Sequence, residues 1–404
     1  MKPEIISSQG EAITLQEPLR GILLSAIDQQ VTDIHADPLG EGKLIRFRVD
    51  GVIHEHAVLH HKDRLKFLNQ IKVSANIKID KSFQPQEGQL TLIAGNGTNE
   101  VRVSIVPVGE RASVSLRIMS GSKGLRNINE LGLSPRDLAT VMRNINQTHG
   151  MTLIAGPTGA GKSTTMYALA QAMNVRERIV CSIEDPVEYR IPGVRQIEVD
   201  EQHELTMNTG LRALLRMDAD VILIGEIRDQ ISAVTASRAA LTSRTVLASI
   251  HAASARMAID AMRSLAVPRY LLAGALHQII HQDLIRTLCP ACARTKDNDQ
   301  KELFQLAGIE APEELKHASG CEKCHGYGYL GRTAIFEVLH INEKLRQEIA
   351  LGSGDFSEKH SAKHISPLIQ DALQKCADGI TSLEEVKGMA IAHHQNLNQG
   401  AGHS

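Results

Sequence analysis

Eight consecutive residues carry the plainest chemistry in the sequence. Gly156-Pro157-Thr158-Gly159-Ala160-Gly161-Lys162-Ser163, with Thr164 directly after, matches the pattern G-x-x-x-x-G-K-[ST]. Glycines at these places let backbone N–H groups curl around phosphate oxygens, and the start of a following helix adds partial positive charge. Lys162 is then placed for the β and γ phosphates, and Ser163 for magnesium. A chance glycine loop is the alternative. The flanks disfavour it, because apolar residues 151–155 precede the loop and Met166, Leu169, Ala170 and Met173 follow at helical spacing.

Phosphoryl chemistry needs an oriented water and a countercharge as well as a cradle. Glu184 and Asp185 follow an apolar run at 179–183, and Glu226 follows another at 221–224. One carboxylate could hold magnesium through water while the other orients the attacking water. Glu184 is the preferred water-orienting residue and Glu226 the magnesium-side partner, with the reverse left open. Helix capping is the competing role for these acids. His251 ends the run 245–250, where it senses a γ phosphate or simply caps the sheet.

A second constellation is made of thiols. Cys289-x-x-Cys292 and Cys321-x-x-Cys324 are separated by 28 residues, and two such pairs suit one tetrahedral, structural zinc. A redox dithiol is the alternative, disfavoured by the absence of a thioredoxin-like context. His54, His56, His60 and His61, and likewise His393 and His394, form no ligand set of defined geometry and are read as solvated loop and tail. Cys181 and Cys376 are read as packing residues.

These groups need elements to position them. In the first part, runs at 44–49, 90–93, 101–106 and 113–118 have strand character, broken at Asp50-Gly51, Glu87-Gly88 and Gly95-Asn96-Gly97. A helix is expected over 62–75, with Leu65, Leu68, Ile71 and Val73 as its apolar stripe. Residues 1–17 form a loose lead-in, 18–119 a small α+β domain and 120–129 a linker. From 130 to 288 apolar runs alternate with longer helical segments, the pattern of a parallel sheet covered on both faces. The runs at 151–155, 179–183, 221–224 and 245–250 all end in polar or glycine-rich sequence, so four distant segments converge on the carboxyl edge of one sheet. The cysteine module occupies 289–340, and a helical region with a polar tail occupies 341–404.

Composition narrows the function. The 404 residues hold 44 Lys plus Arg against 46 Asp plus Glu, so bulk positive charge for nucleic-acid binding is lacking. Aromatics are 3% and Trp is absent, which argues against a base-stacking surface. No apolar run is long enough to span a bilayer and the first twelve residues lack a signal-peptide pattern, so a soluble, cytoplasmic protein with reduced cysteines is expected.

At this point the motifs, in order, resemble the secretion ATPases that power type II secretion and type IV pilus assembly. The resemblance runs from about Val31 to Leu351. It includes Thr32-Asp33-Ile34-His35, Arg46-Phe47-Arg48-Val49-Asp50-Gly51, Pro85-Gln86-Glu87-Gly88 and Arg102-Val103-Ser104. Then come the phosphate loop, Ile183-Glu184-Asp185-Pro186-Val187-Glu188-Tyr189 as an aspartate box, Leu211-Arg212-Ala213-Leu214-Leu215-Arg216, Ile224-Gly225-Glu226-Ile227-Arg228-Asp229 as a Walker B element, and a histidine box at His251. The resemblance implies an α/β fold: a RecA-like P-loop ATPase domain with a PAS-like α+β N-terminal domain and a small zinc-binding C-terminal module. It implies a homohexamer using ATP, Mg2+ and Zn2+ at the cytoplasmic face of the inner membrane. It further implies force passed to a polytopic inner-membrane platform protein, and no nucleic acid as partner.

The resemblance makes Arg102 and Arg117 the arginines expected to reach the nucleotide, and Arg212 and Arg216 share one expected helix face. The tetracysteine module favours assembly over retraction. Because the PAS-like region starts near residue 1, the additional N-terminal recruitment domain of many relatives is expected to be absent. Departures are Ser243-Arg244 where the family has Gly-His, Ala252-Ala253-Ser254 where it has Thr-Asn-Asp, Gln89 for a usual arginine and Met207 for a common aromatic. Polar contacts at the histidine box are therefore expected to be fewer. A RecA-like nucleic-acid translocase and a non-hydrolysing nucleotide-binding scaffold are the competing functions.

Overall fold

The alternation of buried and outward residues is clearest along 42–49, where Ile45, Phe47 and Val49 are buried while Leu44, Arg46 and Arg48 point away. In the computed structural model, which describes residues 4–6, 12–13, 16–79, 84–94, 97–120, 125–173, 176–352 and 365–389, this is strand β4 of the first of two units. That unit, Met1–Gly124, contains β1 (Glu4–Ile6), β2 (Ala12–Ile13), α1 (Leu19–Asp28), β3 (Asp33–Leu39), β4 (Gly42–Val49), β5 (Val52–Leu59), α2 (His61–Ser74), β6 (Gln86–Ala94), β7 (Gly97–Val108) and β8 (Arg111–Ser120). One antiparallel sheet runs β2-β1-β6-β7-β8-β3-β4-β5. Its apolar face packs Ile34, Phe47, Val103 and Leu116, and both helices add buried side chains. Its other face carries Asp33, Arg48, Arg102 and Arg117 together with the exposed apolar Ile53, Val58 and Val106.

Several expectations change here. Residues 4–6 and 12–13, placed in a loose lead-in, pair onto the sheet through β6. β3 and β5 carry sequences too rich in Asp, His and Pro or too exposed to read as strands; their cross-strand partners decide them. Glu87-Gly88 does not break a strand but lies inside β6, where a Cβ on Gly88 would meet Ala75 O at 2.6 Å. The buried stripe of α2 is Phe67 and Ile71; Leu65 and Val73 are 50% and 53% exposed. Asp50 and Gly51 do form the β4–β5 turn, with φ of 48° and 89°, as a two-residue hairpin of this twist requires. Residues 95–96 and the histidines at 393 and 394 lie outside the described residues.

The second unit, Leu125–Ser404, is built on a seven-stranded sheet. In chain order it comprises α3 (Pro135–Ile145), β9 (Gly150–Ala155), α4 (Lys162–Ala172), β10 (Val180–Glu184), β11 (Val194–Glu198), α5 (Met207–Leu214), β12 (Val221–Ile224), α6 (Gln230–Leu241), β13 (Thr245–Ile250), α7 (Ala255–Ser264), α8 (Arg269–Ala275), β14 (Leu276–Leu288), β15 (Arg294–Asp297), α9 (Lys301–Leu306), β16 (Glu314–His317), β17 (Tyr329–His340), α10 (Glu343–Leu351) and α11 (Pro367–Ala377). A further helical turn covers 383–389. The order is β11-β10-β12-β13-β9-β14-β17, parallel throughout except for the antiparallel edge strand β17.

Every residue of β9, β10, β12 and β13 is buried. Alternate residues face opposite layers: Met151, Leu153, Ile222 and Val246 pack towards α5–α8, whereas Ile154, Leu223 and Leu247 pack towards α3 and α4. The four expected strands are present, and the stripe Met166, Leu169, Ala170 and Met173 is fully buried. The α/β expectation holds. Two bounds move, however. Leu125 and Ile128, placed in the linker, pack into this unit. The cysteine segment shares β14 and β17 with the main sheet, so the same two strands carry both regions.

Candidate functional site

The phosphate loop sits between β9 and α4, at the carboxyl edge of the sheet. Gly156 has φ +150°, and a Cβ there would lie 2.3 Å from Gln282 O on β14, so only glycine fits between loop and strand. Gly161, with φ +81°, opens α4 in a left-handed conformation. Gln282, 1% exposed, donates to Ala160 O at 2.5 Å and braces the loop from below.

From this loop a chain of charged contacts crosses the strand ends. Lys162 Nζ donates to Gly156 O at 2.7 Å and Pro157 O at 2.9 Å, and lies 3.4 Å from His251 Nδ1. Partial burial lowers the lysine's pKa, against the pull of Glu226 and Asp283. His251 Nε2 is 2.5 Å from Glu226 Oε1. Arg228 Nε donates to Glu226 Oε2 at 2.6 Å, and Arg228 Nη1 reaches Asp185 Oδ2 at 3.4 Å. The ends of β9, β13, β12 and β10 are thereby joined, as the convergence of the four runs predicts.

Glu184 occupies a different environment. It is the last residue of β10 rather than the first beyond it, and is 2% exposed. Tyr167 from α4 donates to its Oε2, and Ser182 Oγ at 2.5 Å and Gln196 Nε2 at 3.2 Å donate to its Oε1. Burial, reinforced by the Glu184 charge, raises the Tyr167 phenol, so it stays protonated and donates. Tyr167 also accepts from Glu188 N at 3.2 Å, and Tyr189 is hydrogen-bonded to Thr164. The aspartate box is thus tied to the phosphate-loop helix through two tyrosines, neither assigned a role from sequence. An aromatic in so aromatic-poor a chain is the signal that could have marked them.

The other expected residues fall as follows. Helix α5 ends at Leu214, so Arg216 lies in the turn beyond it; Arg212 and Arg216 are both exposed. Ser243 has φ +58°, a left-handed backbone that glycine adopts more readily. Ser254 caps α7 by accepting from Met257 N at 3.2 Å, so the altered histidine box keeps a polar anchor. In the first unit Arg102 and Arg117 are direct cross-strand neighbours. His56 stacks on Phe47 with ring centroids 3.9 Å apart, and Cys181 and Cys376 are buried.

The four cysteines converge. Their sulfurs all lie within 4.8 Å of one another, with Cys289–Cys321 at 3.9 Å and Cys292–Cys324 and Cys321–Cys324 at 3.8 Å. A tetrahedron of Zn–S bonds of about 2.3 Å has edges of about 3.8 Å, so the donor set fits zinc in number, chemistry and spacing. Burial opposes the Cys324 thiolate, but N–H groups of Cys321 and Gly328 outweigh it and bring that thiol down to about 7. For magnesium, the Ser163 hydroxyl and the Glu226 carboxylate are the hard oxygen donors that ion takes.

A glycine phosphate loop on a mainly parallel sheet, with acids at the adjoining strand ends, defines a P-loop nucleotide-binding protein. The family model described as type II/IV secretion system protein matches residues 8–388, and the chain belongs to that family. It is 37% identical to the type II secretion system protein E of Pseudomonas aeruginosa over 91% of this chain and 74% of the relative. It is 35% identical to the type II secretion system ATPase E of Vibrio cholerae, over 95% of this chain and 76% of that one. Among solved structures, its fold is similar to that of the pilus retraction motor PilT with bound ADP. There the TM-score is 0.60 at 24% identity, over 92% of this chain and 96% of the other. The Legionella pneumophila ATPase DotB gives a TM-score of 0.66 at 18% identity, over 92% and 94%.

Proposed function

We propose that the protein is an ATPase that drives type II secretion or type IV pilus assembly, working as a homohexamer against a polytopic inner-membrane platform protein at the cytoplasmic face. The observation that carries this is the complete phosphate loop joined through Lys162 and His251 to Glu226. Lys162 is held by loop carbonyls at the place where phosphate oxygens would compete for its protons. The loop residues 156–164 hold the triphosphate. Ser163 and Glu226 hold magnesium, which supplies countercharge for the phosphates.

Of the two glutamates, Glu226 is the one whose oxygens face exchangeable partners, His251 and Arg228, and it orients the attacking water. Glu184, enclosed by three donors, sets the aspartate-box loop against α4. This moves the water-orienting role from Glu184 to Glu226, which also keeps the magnesium side. The zinc in the cysteine corner is structural, since four thiolates leave no open position.

Phosphate release by the purified full chain, measured beside Lys162→Ala, tests the reading. Activity that vanishes in the variant while the assembly state persists supports a motor. Wild-type turnover by Lys162→Ala would refute the assigned site, and DNA-stimulated, salt-sensitive hydrolysis would favour a translocase.

A further inference from the structure

One row of residues crosses four strands of the second unit's sheet at its carboxyl edge. Ile250, the last residue of β13, is opposite Ala155, the last of β9; Ala155 is opposite His281 on β14, and His281 is opposite Glu337 on β17. Ala155 leads straight into the phosphate loop, and Ile250 into His251. The row therefore joins the two strands that launch the nucleotide site to two ionisable side chains that the site itself does not use. Both are enclosed: His281 is 1% exposed and Glu337 7%.

A carboxylate is costly to bury unless it is paired and hydrogen-bonded. Glu337 Oε2 lies 3.4 Å from His281 Nδ1 and accepts from Ala255 N at 3.1 Å. Ala255 is the first residue of α7, where backbone N–H groups lack helical partners and the helix end carries partial positive charge. The contact gives the acid a donor and the helix start an acceptor, beside the Ser254 cap on Met257 N. Only four residues, 251–254, separate the end of β13 from the start of α7. Two of them, Ala252 and Ala253, have side chains that can make no hydrogen bond. His251 is accordingly placed by the two ends of this segment: the sheet fixes one, and Ser254 and Glu337 fix the other.

We propose that Glu337 is a positioning residue of the ATPase: its carboxylate, seated against His281, pins the first N–H of α7 and so keeps His251 beside Lys162 and Glu226. Glu337 then acts from the far edge strand of the sheet, a role that rests on the reading that His251 serves the nucleotide site. An imidazole displaced by a fraction of a bond length loses its contacts on both sides, since each depends on a short reach.

The test uses the full chain, with steady-state ATP hydrolysis and a thermal melt for each variant. E337A removes the acceptor. Its kcat, taken below its melting temperature, is expected to fall about tenfold, with KM within about threefold because the phosphate loop still binds the nucleotide. E337Q keeps an oxygen for Ala255 N and an amine that can donate to the imidazole, and is expected to stay within about threefold of wild-type kcat. E337D keeps the charge but falls short by one methylene, and is expected to lose about as much as E337A. E337A/H251A is expected to be no slower than H251A alone, because Glu337 acts through His251. If E337A melts below the assay temperature, E337D takes its place. The role is overturned if that variant keeps wild-type kcat, if E337Q is equally slow, or if the H251A background is slowed as much as the wild-type chain. Wild-type turnover by H251A is a different result: it removes the imidazole from the reaction and so defeats the underlying reading instead.

Discussion

The phosphate edge and the cysteine corner are built on the same sheet, yet they hold their polar groups in opposite ways. At the edge, Lys162 rests on loop carbonyls and Glu226 is matched by His251 and Arg228, partners open to water: His251, Arg228 and Asp185 are 51%, 63% and 51% exposed along their side chains. Exposed pairs of this kind contribute little to stability and exchange readily. At the corner, four sulfurs point at one centre with Cys289 and Cys324 buried, and two backbone N–H groups support Cys324. One arrangement suits a ligand that comes and goes; the other suits an ion that stays.

The sharpest break in this comparison is expected from Lys162→Ala. Its turnover should fall by at least about 100-fold, since a fixed countercharge to the phosphates is lost, while the metal content of the corner is unchanged. Joint measurement of phosphate release and bound zinc decides it; loss of both would mean the two regions are not independent. Next come the glutamates. Glu226→Gln should lose about 100-fold in kcat with its melting temperature nearly kept. Glu184→Gln should stay within about tenfold in rate but lose about 1–3 kcal/mol of stability, because its amide cannot satisfy all three buried donors. Equal rate losses in the two variants would remove the distinction drawn between them.

A third effect reverses the first. Cys321→Ser together with Cys324→Ser should abolish metal binding and lower the melting temperature by several degrees, with nucleotide affinity changed by no more than about threefold. Fluorescent-nucleotide titration of the metal-free variant provides the check.

The smallest effect concerns the opposite end of the sheet. Burial, with Arg346, His149 and His340 nearby, holds His277 down to about 4 against an ordinary 6.5. Between these values the unfolded chain takes up a proton that the folded chain refuses, so stability falls as pH drops through that window and is level above it. His277→Gln should flatten this slope. Melting curves of the two chains at pH 5 and pH 7 that differ by the same amount would rule the residue out.

The order of elements in the second unit was legible because strands buried on both faces are nearly continuous apolar runs. At 221–224 and 245–250 the bounds agree to the residue. The first unit was less legible. β3 and β5 owe their form to neighbours distant in sequence, and the buried stripe of α2 depends on which side the sheet lies. The enclosure of Glu184 was likewise hidden, because Tyr167, Ser182 and Gln196 converge on it from three separate elements.

By itself, the sequence determined the phosphate loop, the acids and histidine at the strand ends, the two cysteine pairs and the alternation that makes a covered parallel sheet. Each of those is a local pattern whose chemistry follows from residue type and spacing. Only the tertiary structure decided that one glutamate is enclosed and the other exchangeable, that Gln282 braces the loop, and that Glu337 holds the start of α7. Those outcomes depend on distances between strands far apart in the chain. Burial and hydrogen-bond partners, which separate identical carboxylates into different roles, exist only once the strands have met.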